Sequence, residues 1–169
     1  MKQIKTLLIA ATLFFGATSI TSAQTKVAHI NTTELIQAMP EMKTAKADME
    51  RVGKTYQSDI EAMKKDLKTK MERFDAEAGT KTKEENEKRY IEVQTDQQSM
   101  QQYASNAQQQ LQKKEMELLK PITEKAKAAI LKVAKAQGFN YVLDSSPQSG
   151  VIMAEGKDLL SDVKKELGF

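Results

Sequence analysis

The sequence predicts an α+β protein, mostly α, in which a long antiparallel helical hairpin (a coiled-coil arm) projects from a small β-rich body. Aromatic residues make up only 5% of the 169 residues, tryptophan is absent, and nine methionines stand among many helix-forming residues. Two apolar stripes with helical spacing fill residues 41–120, and short β-capable runs lie on either side of them. An all-β domain is therefore not expected.

The first 23 residues read as a secretory signal peptide. Lys2 and Lys5 precede an apolar run over residues 6–16, and small and polar residues lead to Ala23, the expected cleavage point. The apolar run of about 11 residues is too short for a membrane span, which needs about 20. Cleavage would leave 24 basic against 23 acidic residues, a net charge of +1, which does not favour nucleic-acid binding.

The mature chain is expected to open with a strand and a short helix. Residues 26–30 are β-capable, and Asn31 followed by Glu34 resembles the start of a helix. After Pro40 the pattern stays helical as far as Gly79, with a mean apolar step of 3.6 residues. The apolar stripe of this first limb comprises Met42, Ala45, Met49, Val52, Tyr56, Ile60, Met63, Leu67, Met71, Phe74 and Ala78.

A turn near residues 79–82 is expected to form the tip of the arm. Thr82 and Glu85 make a capping box that starts the second limb, which continues towards Pro121. Residues 41–78 and 83–120 are equally long, and equal limbs around a short turn predict an antiparallel pair. The stripe of the second limb comprises Tyr90, Val93, Gln97, Met100, Ala104, Ala107, Leu111, Glu115, Leu118 and Ile122.

Beyond Pro121 the helix is expected to resume and to end at Gly138. Residues 139–144 and 151–154 read as two strands, and Asp158 is expected to cap a last helix. The body then consists of residues 24–40 and 121–169, together 66 residues, which is marginal for a domain alone. Its short strands would also leave open sheet edges, so oligomerisation is predicted.

The two ends and the arm between them resemble the Skp/OmpH family of periplasmic chaperones, over essentially the whole mature chain. The resemblance rests on the order of the predicted elements (strand, long hairpin, two strands and helix) as much as on any single motif. The matching residues are Val27-Ala28-His29-Ile30-Asn31, Glu34-Leu35-Ile36, Pro40-Glu41, Gly138-Phe139-Asn140-Tyr141-Val142-Leu143-Asp144-Ser145-Ser146, Val151-Ile152-Met153, and the Asp158, Val163, Leu167 pattern.

This resemblance implies a homotrimer in which three arms hang from a β-rich body and enclose unfolded outer-membrane proteins without ATP. The body residues expected to support the trimer are Val27, Ile30, Tyr141, Val142, Leu143, Val151, Ile152, Leu159, Val163 and Leu167.

The apolar residues of the arm have two interpretations. Methionine suits adaptable binding surfaces because it is flexible and polarisable, but the same side chains could pack between the two limbs. The residues expected to contact a client are Met63, Met71, Phe74, Tyr90, Met100 and Tyr103. The lysines and arginines of the distal arm are interpreted as a solvated face with i,i+4 pairs; the alternative is a weak contact of the arm tips with a membrane surface or lipopolysaccharide.

No catalytic, cofactor or metal site is expected. The chain has no cysteine and one histidine, His29, which is interpreted as structural, and it lacks a glycine-rich phosphate loop. The function predicted is that of an ATP-independent periplasmic holdase. The alternative is a structural periplasmic adaptor whose hairpin packs against an envelope or transport complex.

Overall fold

The computed structural model describes residues 25–169; the predicted signal peptide lies outside the described residues. Strand β1 (Val27–Ile30) leads into helices α1 (Thr32–Ala38) and α2 (Pro40–Glu77), and a 3-10 turn (Ala78–Thr80) reverses the chain. Helix α3 (Lys83–Ala136) is followed by β2 (Tyr141–Asp144), β3 (Lys157–Asp158) and α4 (Leu160–Leu167). The chain is therefore mostly helical with one small sheet.

Local signals explain where the helices begin and end. The Asn31 side chain accepts a hydrogen bond from the Glu34 backbone at the start of α1, and Pro40 occupies the first turn of α2, where its missing N–H costs nothing. Thr82 and Glu85 form the capping box of α3. Gly138 follows the end of α3 with a φ of +73°, which is the left-handed conformation that suits glycine.

Helices α2 and α3 lie antiparallel along the length of α2. Glu41 pairs with Lys125 near one end, the Tyr103 hydroxyl donates to Asp59 in the middle, and Glu77 pairs with Arg89 near the turn. We call residues 40–120 the arm and the remaining described residues the body. Pro121 lies inside α3, so one unbroken helix joins the arm to the body.

The sheet is parallel throughout, in the order β2-β1-β3. One face packs against the helices, and its buried core is formed by Ala28, Ile30, Leu35, Met39, Ala45, Ile122, Ala126, Ala129, Val133, Ala134, Leu159 and Val163. On the other face Val27 pairs in register with Tyr141, and His29 with Leu143. Three of these four side chains, Val27, Tyr141 and Leu143, are exposed.

The predicted strand over residues 151–154 is wrong. This segment has no regular structure, and the third strand is Lys157–Asp158. Strands β2 and β3 pair with the two edges of β1, and Val151 and Ile152 pair with neither of the outer edges that β2 and β3 leave open. The predicted cap of the last helix is displaced by one residue: Leu159 is the N-cap of α4 and makes no side-chain cap hydrogen bond. The Asp158 carboxylate, one residue earlier, accepts a hydrogen bond from the Leu160 backbone N–H.

The predicted apolar stripes are also partly wrong near the tip. Met71 and Ala78 of α2 and Tyr90 and Gln97 of α3 are exposed. Phe74 and Val93 of the stripes stay half-buried, and four polar residues are half-buried beside them: Lys70, Glu77, Arg89 and Asp96. Contacts between the helices continue with alternating steps of three and four residues, as in a heptad repeat. The apolar residues repeat at a slightly longer mean step of 3.6 residues, so some of them turn out of the interface towards the tip.

Candidate functional site

Two tyrosines hold the helices together in the middle of the arm. The rings of Tyr56 and Tyr103 meet edge to face, with 6.0 Å between their centroids, and the Tyr103 hydroxyl donates to Asp59 at 2.6 Å. This hydrogen bond to a carboxylate raises the pKa of Tyr103 to about 12. Tyr103, expected to contact a client, is thus engaged in packing within the arm.

Closer to the tip, ion pairs between the helices lie beside the half-buried apolar side chains of Phe74 and Val93. Lys70 pairs with both Glu92 and Asp96, whose hydrogen bonds raise its pKa. Arg89 pairs with Glu77 and lowers the pKa of that carboxyl through a hydrogen bond. The carboxylates of these pairs remain accessible to water, which limits the stability that each pair contributes. The Arg89 side chain is only 19% exposed, and its Nη1 is buried without a hydrogen-bond partner among the described residues.

A surface groove of about 440 Å³ lies beside these ion pairs. Its apolar lining is Met71, Phe74, Tyr90 and Val93, and amide side chains add polar atoms at Asn86, Gln94 and Gln97. The guanidinium carbons of Arg89 and Arg73 lie 4.6 Å and 5.1 Å from the centroid of the Phe74 ring, within range of a cation–π interaction. We call this feature the distal groove.

The distal groove brings together three of the six residues expected to contact a client. Met71 and Tyr90 are exposed, with Tyr90 at 63%, while Phe74 is half-buried. The Gln94 amide donates to the Tyr90 hydroxyl, which restrains the exposed ring. Met63, Met100 and Tyr103 lie elsewhere, half-buried between the helices. The distal groove is therefore the best candidate on the arm for binding an apolar segment.

Two further apolar side chains are exposed on α3 although sequence analysis did not single them out: Ile91 and Leu131. They lie outside the predicted stripes, so the stripe pattern gave no signal for them. A large apolar residue off the stripe of an amphipathic helix is the signal that could have found them.

The body residues expected to support a trimer fall into two groups. Ile30, Leu159 and Val163 are buried within the subunit, and Val142 and Leu167 pack half-buried against that core. The other group, Val27, Tyr141, Leu143 and Ile152, is exposed, and Val151 is half-buried. His29 lies among the exposed group, where its Nδ1 is 3.2 Å from the Ser145 hydroxyl. Only the exposed group is free to meet another molecule.

A second groove, of about 480 Å³, lies in the body between β2 and the end of α3. Its apolar lining includes Ile36, Ile130, Leu131, Phe139 and Val142. Lys127 and Lys135 also line it, and neither forms an ion pair within residues 25–169. We call this feature the body groove.

Within residues 25–169 the acidic residues and His29 form no cluster of three or more that could hold a metal ion. None of the helices described there combines the length and apolar character needed to cross a membrane. The two grooves are lined by apolar, amide and charged side chains, which is chemistry suited to binding.

Comparison with known proteins gives consistent matches. A model of the OmpH-like outer membrane protein family matches residues 26–167. The chain is 26% identical to the chaperone protein Skp of Yersinia enterocolitica over 166 residues, covering 97% of this chain and 99% of the relative. It is 27% identical to Skp of Vibrio cholerae over 124 residues, covering 73% of each.

A solved structure supports the fold. The crystal structure of an OmpH-like outer membrane chaperone from Caulobacter crescentus superposes with a TM-score of 0.76, covering 86% of this chain and 85% of that chain. Its sequence identity is 17%, so the similarity concerns the fold alone.

Proposed function

The chain belongs to the family of OmpH-like outer membrane proteins, and on that basis we propose that it is an ATP-independent holdase of the periplasm. In this proposal it keeps unfolded outer-membrane proteins soluble by enclosing them between its arms. Transmembrane β-strands carry alternating apolar side chains, and such strands aggregate when their edges are unprotected. A chaperone for them needs many weak apolar contacts and no chemical step.

The observation that carries the proposal is the distal groove. Met71 and Tyr90 stay exposed at the far end of an arm about 57 Å long, at 1.5 Å per helical residue. Exposed apolar residues that gather in one groove are typical of a binding surface. Methionine adapts to different side chains, and the amides of Gln94 and Gln97 can pair with the backbone of an extended segment.

We also propose that the protein acts as a homotrimer held by its body. The exposed sheet face carries Val27, Tyr141 and Leu143, and burying each of these would contribute roughly 1.5–3 kcal/mol. Three such faces turned towards one axis would form a shared core and direct the three arms to the same side. Steric enclosure of a client then adds to the contacts made by each arm.

The test is an aggregation assay with a matched pair of variants. A urea-unfolded β-barrel protein is diluted with or without the chain, and light scattering is followed. We expect suppression by the chain alone. Tyr90→Ser should weaken its affinity for the client about five- to thirtyfold, since truncating a contacting aromatic costs on the order of 1–2 kcal/mol. Ile91→Ser removes an exposed neighbour outside the groove and should have no effect.

Three results would count against the proposal in different ways. Equal loss in both variants would remove the distal groove as the client site. No suppression by the unaltered chain, together with its co-purification with a defined envelope complex, would favour the structural adaptor instead. A mass corresponding to a monomer by analytical ultracentrifugation would exclude the trimer.

A further inference from the structure

One stretch of α3 is rich in glutamine and free of charge. Residues 94–112 hold nine glutamines, all of them exposed, and residues 97–112 contain no charged side chain although 29% of the chain is charged. Residues 53–68, which lie opposite on α2, carry seven charged side chains. Charged side chains thus keep α2 soluble at the same height of the arm, so solubility alone does not explain the neutral surface of α3.

Most of these glutamines form a row along one side of α3. Steps of four and three residues keep side chains on one face of a helix. The exposed residues with this spacing are Gln94, Gln98, Gln101, Ser105, Gln108 and Gln112, which we call the amide row. The amide row begins in the distal groove, whose lining includes Gln94. Tyr90 and Met116, both exposed, continue the same face beyond its two ends.

The amide row matches the peptide groups of an extended chain. A glutamine amide has N–H donors and a carbonyl acceptor, so it can pair with either the C=O or the N–H of a peptide group. Neighbours in the row are about 4.5–6 Å apart along the helix axis. Peptide groups on one side of a strand repeat about every 6.8 Å, a difference that the flexible glutamine side chains can absorb.

The length of this face also suits a membrane strand. From Tyr90 to Met116 it measures about 39 Å at 1.5 Å per helical residue. An extended segment of about 11–12 residues covers that distance at 3.4 Å per residue. A transmembrane β-strand has about 9–11 residues, so one strand of an unfolded outer-membrane protein fits along the face.

A neutral row treats clients of different charge alike. Lysines or glutamates in these positions would attract segments of opposite charge and repel those of like charge. The peptide groups of a client are the same whatever its sequence. Each amide hydrogen bond replaces bonds to water and therefore contributes little, which lets a client be held by many contacts and still be released.

We infer that the amide row binds the backbone of an extended segment of the unfolded client. Its amides pair with the peptide groups of the segment, while the distal groove takes apolar side chains at one end. This inference rests on the proposed holdase function and specifies what the arm recognises in a client. The arm binds by the extended conformation of the segment and not by its sequence or charge.

Replacement of glutamine by methionine distinguishes amide pairing from apolar contact. Methionine is also unbranched and favours helices to a similar degree, but it has no N–H donor. The full chain with Gln101→Met and Gln108→Met should bind a urea-unfolded β-barrel protein about tenfold more weakly in a fluorescence titration, because two weak hydrogen bonds are lost. Tighter binding would show that apolar contact holds the client along the row, which would overturn the inference.

A matched control places the same substitutions elsewhere on the arm. Gln57 lies on α2 and Gln110 on the opposite flank of α3, and both are exposed. Gln57→Met combined with Gln110→Met should leave the affinity for the client unchanged. Equal weakening in the two double variants, with helicity unchanged by circular dichroism, would overturn the inference because the position of the amides would not matter.

A peptide with a modified backbone gives a second readout. The probe is a 12-residue peptide of alternating threonine and valine with lysines at both ends, which competes with the β-barrel protein for the chain. N-methylation of every second residue removes the N–H donors along one edge of the peptide. We expect the methylated peptide to compete about tenfold less well for the unaltered chain, and the two peptides to compete equally for the Gln101→Met, Gln108→Met variant. Equal competition for the unaltered chain overturns the inference.

Failure of the inference and failure of the proposed function give different results. If the unaltered chain suppresses aggregation while the row variant binds clients normally, the inference fails and the holdase function stands. If the unaltered chain does not suppress aggregation, both fail. A changed oligomeric mass of the row variant with unchanged client affinity would assign the amide row to contact between arms and would also overturn the inference.

Discussion

The arm and the body hold their structures together by different means. The body buries Ile30, Leu35, Met39, Leu159 and Val163 almost completely, so the hydrophobic effect stabilises it. Within the arm only Ala45 and Ala107 are buried. The arm is otherwise stabilised by half-exposed contacts, ion pairs and helix propensity. The arm can therefore bend or open locally at low free-energy cost. Unfolding of the body, in contrast, would also remove the support from which the arm projects.

The sharpest way to test this difference is to place the same substitution in both regions. Ile30→Asp puts a carboxylate at a core position that is 1% exposed, and we expect it to destabilise the protein by more than about 3 kcal/mol and to abolish assembly. Ile91→Asp alters a residue of the arm that is 56% exposed. Its effect on thermal unfolding should be close to zero.

Removal of most of the arm should separate the two regions. Deleting residues 46–115 and joining the ends with a short turn leaves the buried cluster of the body complete, apart from partners near the junction. We expect a product that retains the oligomeric mass of the full chain but no longer suppresses aggregation. A folded but monomeric product would show that the arm contributes to assembly, contrary to the division described above.

Acidification should loosen the tip of the arm before it affects the body. The hydrogen bond from Arg89 lowers the pKa of Glu77, and hydrogen bonds from Thr82 lower that of Glu85. A carboxyl whose pKa is lowered on folding stabilises the fold above its ordinary value of 4.5 and loses that contribution as pH falls through the lowered pKa. The tip should thus weaken progressively below about pH 4.5.

The opening can be measured by the distance between spin labels at Thr69→Cys and Ile91→Cys, with Glu77→Gln as the control. The control should have a looser tip at neutral pH and a smaller response to acid. A distance that stays constant through acidification would show that apolar packing, and not the ion pair, closes the tip.

The smallest expected effect concerns Gly53 in α2. A Cβ added there meets no atom within 4 Å, and alanine is favoured over glycine within a helix by about 1 kcal/mol. Gly53→Ala should therefore raise arm stability slightly, measured by hydrogen exchange of amides near residue 53, and leave the exchange of body amides unchanged. A destabilised arm would indicate that the helix needs glycine for a bend at this point.

The sequence determined the helices because their signals are local. Pro40 marked where α2 begins, the Thr82–Glu85 capping box marked where α3 begins, and Gly138 marked where α3 ends. The long apolar stripes were sufficient to predict two helices on either side of a turn. Phe74 and Tyr90 were predicted to contact a client, but the period of the stripes could not show that Tyr90 is exposed and Phe74 half-buried.

Tertiary structure decided the remaining features, because each depends on which neighbours are present. Lys70 and Arg89 take positions between the helices since their long side chains reach carboxylates on the opposite helix and turn Met71 and Tyr90 outward. Residues 151–154 have the sequence of a strand, yet strand formation requires a paired neighbour. Within the subunit Lys157 and Asp158 take the position beside β1, and residues 151–154 pair with neither outer edge of the sheet. Pairing between distant segments, unlike helix capping, is not encoded in any short stretch of sequence.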